Sequence, residues 1–204
     1  MLLAAGSSRR MGGINKLLLP VGGVPLVRRA ARVLLRAGLR PVVVVVGAGA
    51  DAIREALDGL PVRLVENPRH LEGMGTSVAA GVAALGPEAA AVAVTVADLP
   101  RLRARDVRTV AEALAASERG IAVPVWEGRR GHPVFFALGP YRQLLEGLGG
   151  DEGARGILRA RPGDVLEVAV SHPGGFDDLD TPEAYRCLSG EGRPGARGAG
   201  GRRP

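Results

Sequence analysis

The chain has 204 residues, 27 basic and 21 acidic, with 46% apolar residues, 3% aromatics and one Cys. This size suits one domain, or one domain with a tail, and the composition argues against wholesale disorder. A lone thiol excludes an internal disulfide framework, and no apolar run approaches the ~20 residues of a membrane helix.

The opening Met1-Leu-Leu-Ala-Ala-Gly6 has no basic n-region and meets Arg9 too soon for a signal peptide, so a cytoplasmic protein is expected. Residues 189–204 hold four Arg and one Glu, which is half of the net charge of +6. Elsewhere basic and acidic residues are interspersed and aromatics are few, so nucleic acid is not an expected partner. Lys16 is the only Lys among the 27 basic residues. Lys offers a compact point charge that Arg does not mimic.

In chain order, Leu2 to Ala4 reads as a short strand, followed by a small-residue basic loop from Gly6 to Lys16. A helix is expected from Pro25 to Ala37, with apolar Leu26, Ala30, Val33 and Leu34 on one face and Arg28, Arg32 and Arg36 opposite. Val42 to Val46 is a β-branched run, as in a strand covered on both faces. A short helix to Leu57, a strand from Val62 to Val65 and a loop from Asn67 to Thr76 come next. Ser77 is placed to cap a helix running to Leu85.

Ala91 to Val96 is a strand that stops at Asp98-Leu-Pro100, and helix returns from Ala104 to Ala116. Strands are expected at 121–126, 133–136 and 165–170, with short helices at 140–146 and 153–159. Thr181-Pro182-Glu183 opens a final helix, with Thr as N-cap and Pro at the first position; Cys187 is expected in its core-facing side. The Gly/Arg-rich 189–204 segment is expected to be disordered, leaving a domain at 1–188. Strand–helix alternation predicts an α/β three-layer sandwich, with a mostly parallel sheet and helices on both faces. In such sheets ligands sit beyond the carboxyl ends of the strands.

That rule points to several constellations. Gly6-Ser7-Ser-Arg-Arg10-Met-Gly12-Gly-Ile-Asn-Lys16 can present backbone N–H groups to an anion, with Arg10 and Lys16 adding charge. It fits neither the Walker frame nor the G-x-G-x-x-G fingerprint, and could also be a plain surface loop. Asp98 at a strand end can hold Mg²⁺ or cap the next helix. Asp177, Asp178 and Asp180 can complete a metal site or flank the Thr181 cap. Gly73-Met-Gly-Thr-Ser77 can read a base or ribose, or start a helix. His132 in Gly131-His-Pro is more often structural in such a setting, and His70 and His172 show no metal-ligand spacing.

Taken together and in this order, Leu3-Ala-Ala-Gly-Ser-Ser-Arg-Arg-Met-Gly12, Lys16-Leu-Leu-Leu-Pro, Gly73-Met-Gly-Thr-Ser-Val78, Asp98-Leu-Pro, Gly131-His-Pro and Asp178-Leu-Asp-Thr-Pro-Glu183 resemble the molybdenum cofactor cytidylyltransferases, within the GT-A-like nucleotidyltransferase superfamily. The resemblance spans residues 2 to 188. It implies transfer of CMP from CTP to the phosphate of molybdopterin, with pyrophosphate released and Mg²⁺ (or Mn²⁺) required. It implies that backbone at Leu3, Ala4 and Ala5 meets the base and that 6–12 wraps the triphosphate. Arg10 and Lys16 bind phosphates; Asn67, Gly75 and Ser77 lie near base and ribose; Asp98 and Asp178 hold the metal; Gly131 and His132 face the pterin. Two departures stand out: a first strand shorter than is usual, so that either it is short or the natural start lies upstream, and an Arg10-to-Lys16 spacing one residue longer than in some members.

The same chemistry with GTP, or with a sugar-phosphate or methylerythritol-phosphate acceptor, stays open. So does a non-catalytic cofactor-binding or insertion chaperone. Expected partners are the small-molecule substrates and the molybdoenzyme or chaperone that receives the cofactor, with no membrane.

Overall fold

Five consecutive valines, Val42–Val46, are all buried. Their side chains alternate: Val42, Val44 and Val46 enter one hydrophobic cluster, Val43 and Val45 another. A strand with period two can be apolar throughout only if both faces are covered. Each buried Val contributes about 1.5–3 kcal/mol of transfer free energy, so this strand anchors the domain.

The computed structural model describes residues 1–6, 14–47, 49–179 and 181–189. In chain order these form β1 (Leu2–Ala4), β2 (Pro20–Val21), β3 (Val24–Pro25), α1 (Leu26–Arg36), β4 (Val42–Val46), α2 (Ala50–Ala56), β5 (Val62–Glu66), α3 (Met74–Ala83), β6 (Ala91–Val96), α4 (Ala104–Ala115), β7 (Ile121–Trp126), β8 (Arg129–Arg130), β9 (Val134–Ala137), α5 (Leu138–Glu146), α6 (Arg155–Ala160), β10 (Val165–Ala169) and α7 (Pro182–Ser189). The main sheet runs β10-β7-β9-β6-β1-β4-β5, with β8 paired to β7.

The strands β6, β1, β4 and β5 are mutually parallel, with Leu2 registered against Val44 and Thr95. β9 runs antiparallel to both β6 and β7, and β10 is parallel to β7. One face of the sheet is covered through Val27, Ala30, Leu34, Ile53, Val107 and Val110 of α1, α2 and α4. The other is covered through Val78, Val82, Leu138, Tyr141, Leu145 and Ile157 of α3, α5 and α6. This is the expected three-layer α/β sandwich.

Several local expectations need correction. α3 starts at Met74, after Gly73 at φ 116°, so Ser77 sits inside the helix and not at its cap. Cys187 is exposed. The face of α7 that packs on Val21, Leu26 and Leu179 carries Tyr185 and Leu188, which leaves position 187 outward. The β2–β3 hairpin and the two-residue β8 were not anticipated, because runs this short show no readable periodicity. The predicted Thr181 cap is present: its Oγ1 accepts from the Ala184 N–H at 3.2 Å. The expectation for the 189–204 tail falls, beyond Ser189, outside the described residues.

Candidate active site

The carboxyl ends of four parallel strands meet along one edge of the sheet. β1 and β6 are neighbours there, and the Ala97 N–H donates to the Leu3 carbonyl at 3.1 Å. Leu3, Ala4 and Ala5 are buried, and the chain emerges at Gly6. Ser7, Arg10 and Gly12 lie outside the described residues. The chain returns at Asn15, whose Oδ1 accepts from the Leu17 N–H and caps a single 3₁₀ turn, Lys16–Leu18. That cap sets the direction of the first residue of the turn.

The Lys16 ammonium donates to Asp98 Oδ2 at 2.5 Å, and each side chain is 15% exposed. The second oxygen, Asp98 Oδ1, is buried and has no hydrogen-bond partner among the described residues. A buried carboxylate oxygen without a donor costs free energy unless a ligand reaches it. Asp98 therefore gives one oxygen to Lys16, and the other could take a second cation.

A strap from the last third of the chain brings Asp178 to the same place. The Leu179 N–H donates to the Asp98 carbonyl at 2.9 Å, and Asp178 immediately before it is exposed. Four residues before Leu179 the strap is tied to His132, whose backbone N–H donates to the Gly175 carbonyl at 2.9 Å. Gly175 has no substitute here, since a Cβ would stand 2.2 Å from the His132 carbonyl oxygen. Gly131 is buried under Phe176. The strap thus holds Asp98, Asp178 and His132 as one unit.

Burial pulls the His132 imidazole below its ordinary range. Its Nδ1 lies 3.5 Å from the Val94 carbonyl, and that contact, with the negative charges of Asp98 and Asp178, works in the opposite direction. The Arg155 guanidinium reinforces the burial effect. Asp98, Asp178 and Arg155 are therefore within electrostatic reach of one imidazole. Arg155 did not stand out in the sequence; the Gly-rich 149–153 run before it was the available signal.

Asn67, Gly75 and Ser77 form a separate cluster at the β5 end. The Asn67 amide donates to Thr76 Oγ1 at 2.9 Å and to Ser77 Oγ at 3.0 Å, and its Oδ1 accepts from the Arg69 N–H. Asn67 thereby fixes the first turn of α3. Gly75 donates its N–H to the Gly150 carbonyl at 2.8 Å, and a Cβ on it would meet Gly149 backbone at 2.4 Å. Three strand spacings of about 4.8 Å separate the β5 end from the β6 end. The two clusters are therefore set apart on the scale of a nucleotide.

Among the described residues no three His, Cys, Asp or Glu side chains cluster as a metal cage. Two carboxylates, one with an unpartnered oxygen, fit a hard divalent cation that takes its remaining ligands from water and phosphate. No helix among the described residues is long and apolar enough to cross a membrane.

A family model described as the MobA-like NTP transferase domain matches residues 1–165. The chain is 36% identical over 197 residues to the nicotine blue oxidoreductase of Paenarthrobacter nicotinovorans, covering 92% of this chain and 95% of that protein. Its fold matches Rv0371c of Mycobacterium tuberculosis H37Rv at TM-score 0.79 and 28% identity, covering 93% of this chain and 96% of that one. A manganese complex of Rv0371c matches at TM-score 0.74 and 27% identity, covering 93% of this chain and 96% of that one.

Proposed function

Because the chain belongs to the MobA-like NTP transferase family, a family of nucleotidyltransferases, we propose that it transfers CMP from CTP to the phosphate of molybdenum cofactor and releases pyrophosphate. The observation that carries this reading is the Lys16–Asp98 pair at the strand ends, with Asp98 Oδ1 left without a partner.

The acceptor is a phosphate monoester, already anionic near neutral pH, so no protein nucleophile is needed. The obstacle is charge: an anion must attack a polyanionic α-phosphate. Lys16 and Arg10 hold the triphosphate and neutralise its oxygens, and the Gly6 to Gly12 backbone wraps it. Asp98 and Asp178 hold a divalent cation, Mg²⁺ or Mn²⁺. That ion supplies charge neutralisation and alignment of attack with pyrophosphate departure. The manganese complex of Rv0371c supports a divalent ion in this fold. Leu3, Ala4 and Ala5 line the base with Gly75 and Ser77, and Asn67 acts by fixing Ser77. His132, kept neutral by burial, faces the acceptor with Gly131. The setting is cytoplasmic, and a molybdoenzyme or its insertion chaperone receives the product.

The end-to-end likeness to nicotine blue oxidoreductase favours a second reading, in which the chain acts on a redox substrate. Against it stands the loop after β1, which does not follow the G-x-G-x-x-G frame, although Gly47-Ala-Gly-Ala-Asp-Ala52, between β4 and α2, has the related G-x-G-x-x-A form. The test is pyrophosphate release with CTP and with GTP against isolated molybdenum cofactor, methylerythritol phosphate and a sugar phosphate, beside an NAD(P)H-consumption assay. Release with CTP and molybdenum cofactor is expected. NAD(P)H consumption without pyrophosphate would replace this reading with the second.

A further inference from the structure

Beside the Asp98-Leu-Pro segment, α1 and the loop at 99–102 line a pocket of about 170 Å³. Its polar wall is made by Arg29, Arg32 and Arg36, its apolar wall by Val33, Leu99 and Pro100. Among the described residues no acidic side chain lines it. Arg32 and Arg36 are one helical turn apart, where like charges repel. Among the described residues neither side chain has a hydrogen bond or an ion pair. Arg29 is under-satisfied as well: its Nε is buried without a partner, and its terminal nitrogens reach only the Val21 and Pro100 carbonyls, both at 3.4 Å.

Three arginines, two of them half-buried, line one concavity, and no acidic side chain among the described residues lining it offsets their charge. Guanidinium groups match phosphate oxygens with paired N–H donors. The pocket is small beside the ~300 Å³ at which pockets begin to enclose drug-sized ligands, which favours a compact anion.

We propose that this pocket is a second binding site, separate from the Lys16–Asp98 centre, that takes a compact phosphate-class anion, inorganic phosphate or pyrophosphate. Its wall at Leu99 and Pro100 puts the bound anion next to the segment that carries Asp98.

The test is isothermal titration of the full chain at fixed ionic strength, with inorganic phosphate and with pyrophosphate in separate arms. Both are run in a Lys16→Ala background, which weakens phosphate binding at the main site. Saturable binding is expected in at least one arm, and the tighter arm identifies the anion. Adding Arg32→Gln and Arg36→Gln weakens that binding by at least about tenfold, whereas Arg161→Gln, on an exposed side chain, leaves it unchanged. Thermal melting of each variant shows that it is folded. No saturable binding in either arm, or equal affinity with and without the two substitutions, overturns the proposal.

Discussion

The Lys16 ammonium and the Asp98 carboxylate meet at 2.5 Å although 82 positions separate them in sequence. β1 and β6 are adjacent in the sheet, and the capped turn after Asn15 brings Lys16 back over the β6 end. The pair is screened from bulk water on most sides, so its charges act strongly on whatever binds between them.

Lys16→Ala slows the chemical step by about 10²–10³, the usual cost of removing a donor to developing charge. Lys16→Arg restores little of this, because a planar fork does not replace a point charge held by a short turn. Single-turnover quench-flow reads both, and an unperturbed rate in Lys16→Ala would remove the residue from the chemistry.

Asp98→Asn preserves shape and removes the charge that a divalent ion needs. Mn²⁺ binding, followed by loss of the free-ion electron paramagnetic resonance signal, weakens by tenfold or more, and metal-stimulated turnover falls with it. Wild-type Mn²⁺ affinity in this variant would place the metal elsewhere.

Gly175→Ala puts a methyl group 2.2 Å from the His132 carbonyl oxygen. The strap must move, and it carries the Leu179 N–H that holds Asp98. The melting temperature falls and kcat drops without any change in the charge of the site. An enzyme with native melting and native kcat would show that the strap does not position Asp98.

Tyr141 donates its hydroxyl to Asp164 Oδ2 at 2.6 Å, and burial with this bond raises its pKa to about 12. The folded state therefore prefers the neutral phenol. The resulting stability is complete below the unfolded value near 10 and is lost as pH rises through 10 towards 12. Tyr141→Phe abolishes that alkaline loss, as denaturant melts at pH 9 and pH 11 would report.

The exposed Cys187 reacts with a thiol reagent in the native chain at a rate close to that of the denatured chain. A protected thiol would restore the core position that periodicity suggested.

The layers of the fold were legible because Val42–Val46 and Ala91–Val96 are apolar runs of strand length, ended by Gly and Asp-Leu-Pro. In the candidate site, Asp98 was legible because residue type and strand-end position agreed, and Lys16 because it is the only Lys among 27 basic residues. Pattern could not supply the strap. Its hold on His132 and Asp98 is made by backbone groups of Gly175 and Leu179, which leave no mark in side-chain chemistry. The α3 start was misplaced because Ser77 looks like a cap, whereas its hydroxyl accepts from Asn67, ten residues upstream. The outward position of Cys187 depends on which face of α7 meets the β2–β3 hairpin, a tertiary choice invisible in one helix.

On the proposed function, Lys16 and an Asp98-held ion act on one triphosphate. A double-mutant cycle on pyrophosphate release, comparing wild type, Lys16→Ala, Asp98→Asn and the double variant, measures this directly. Strong non-additivity is expected, with the double variant little slower than the worse single one. Rate losses that simply multiply would contradict it.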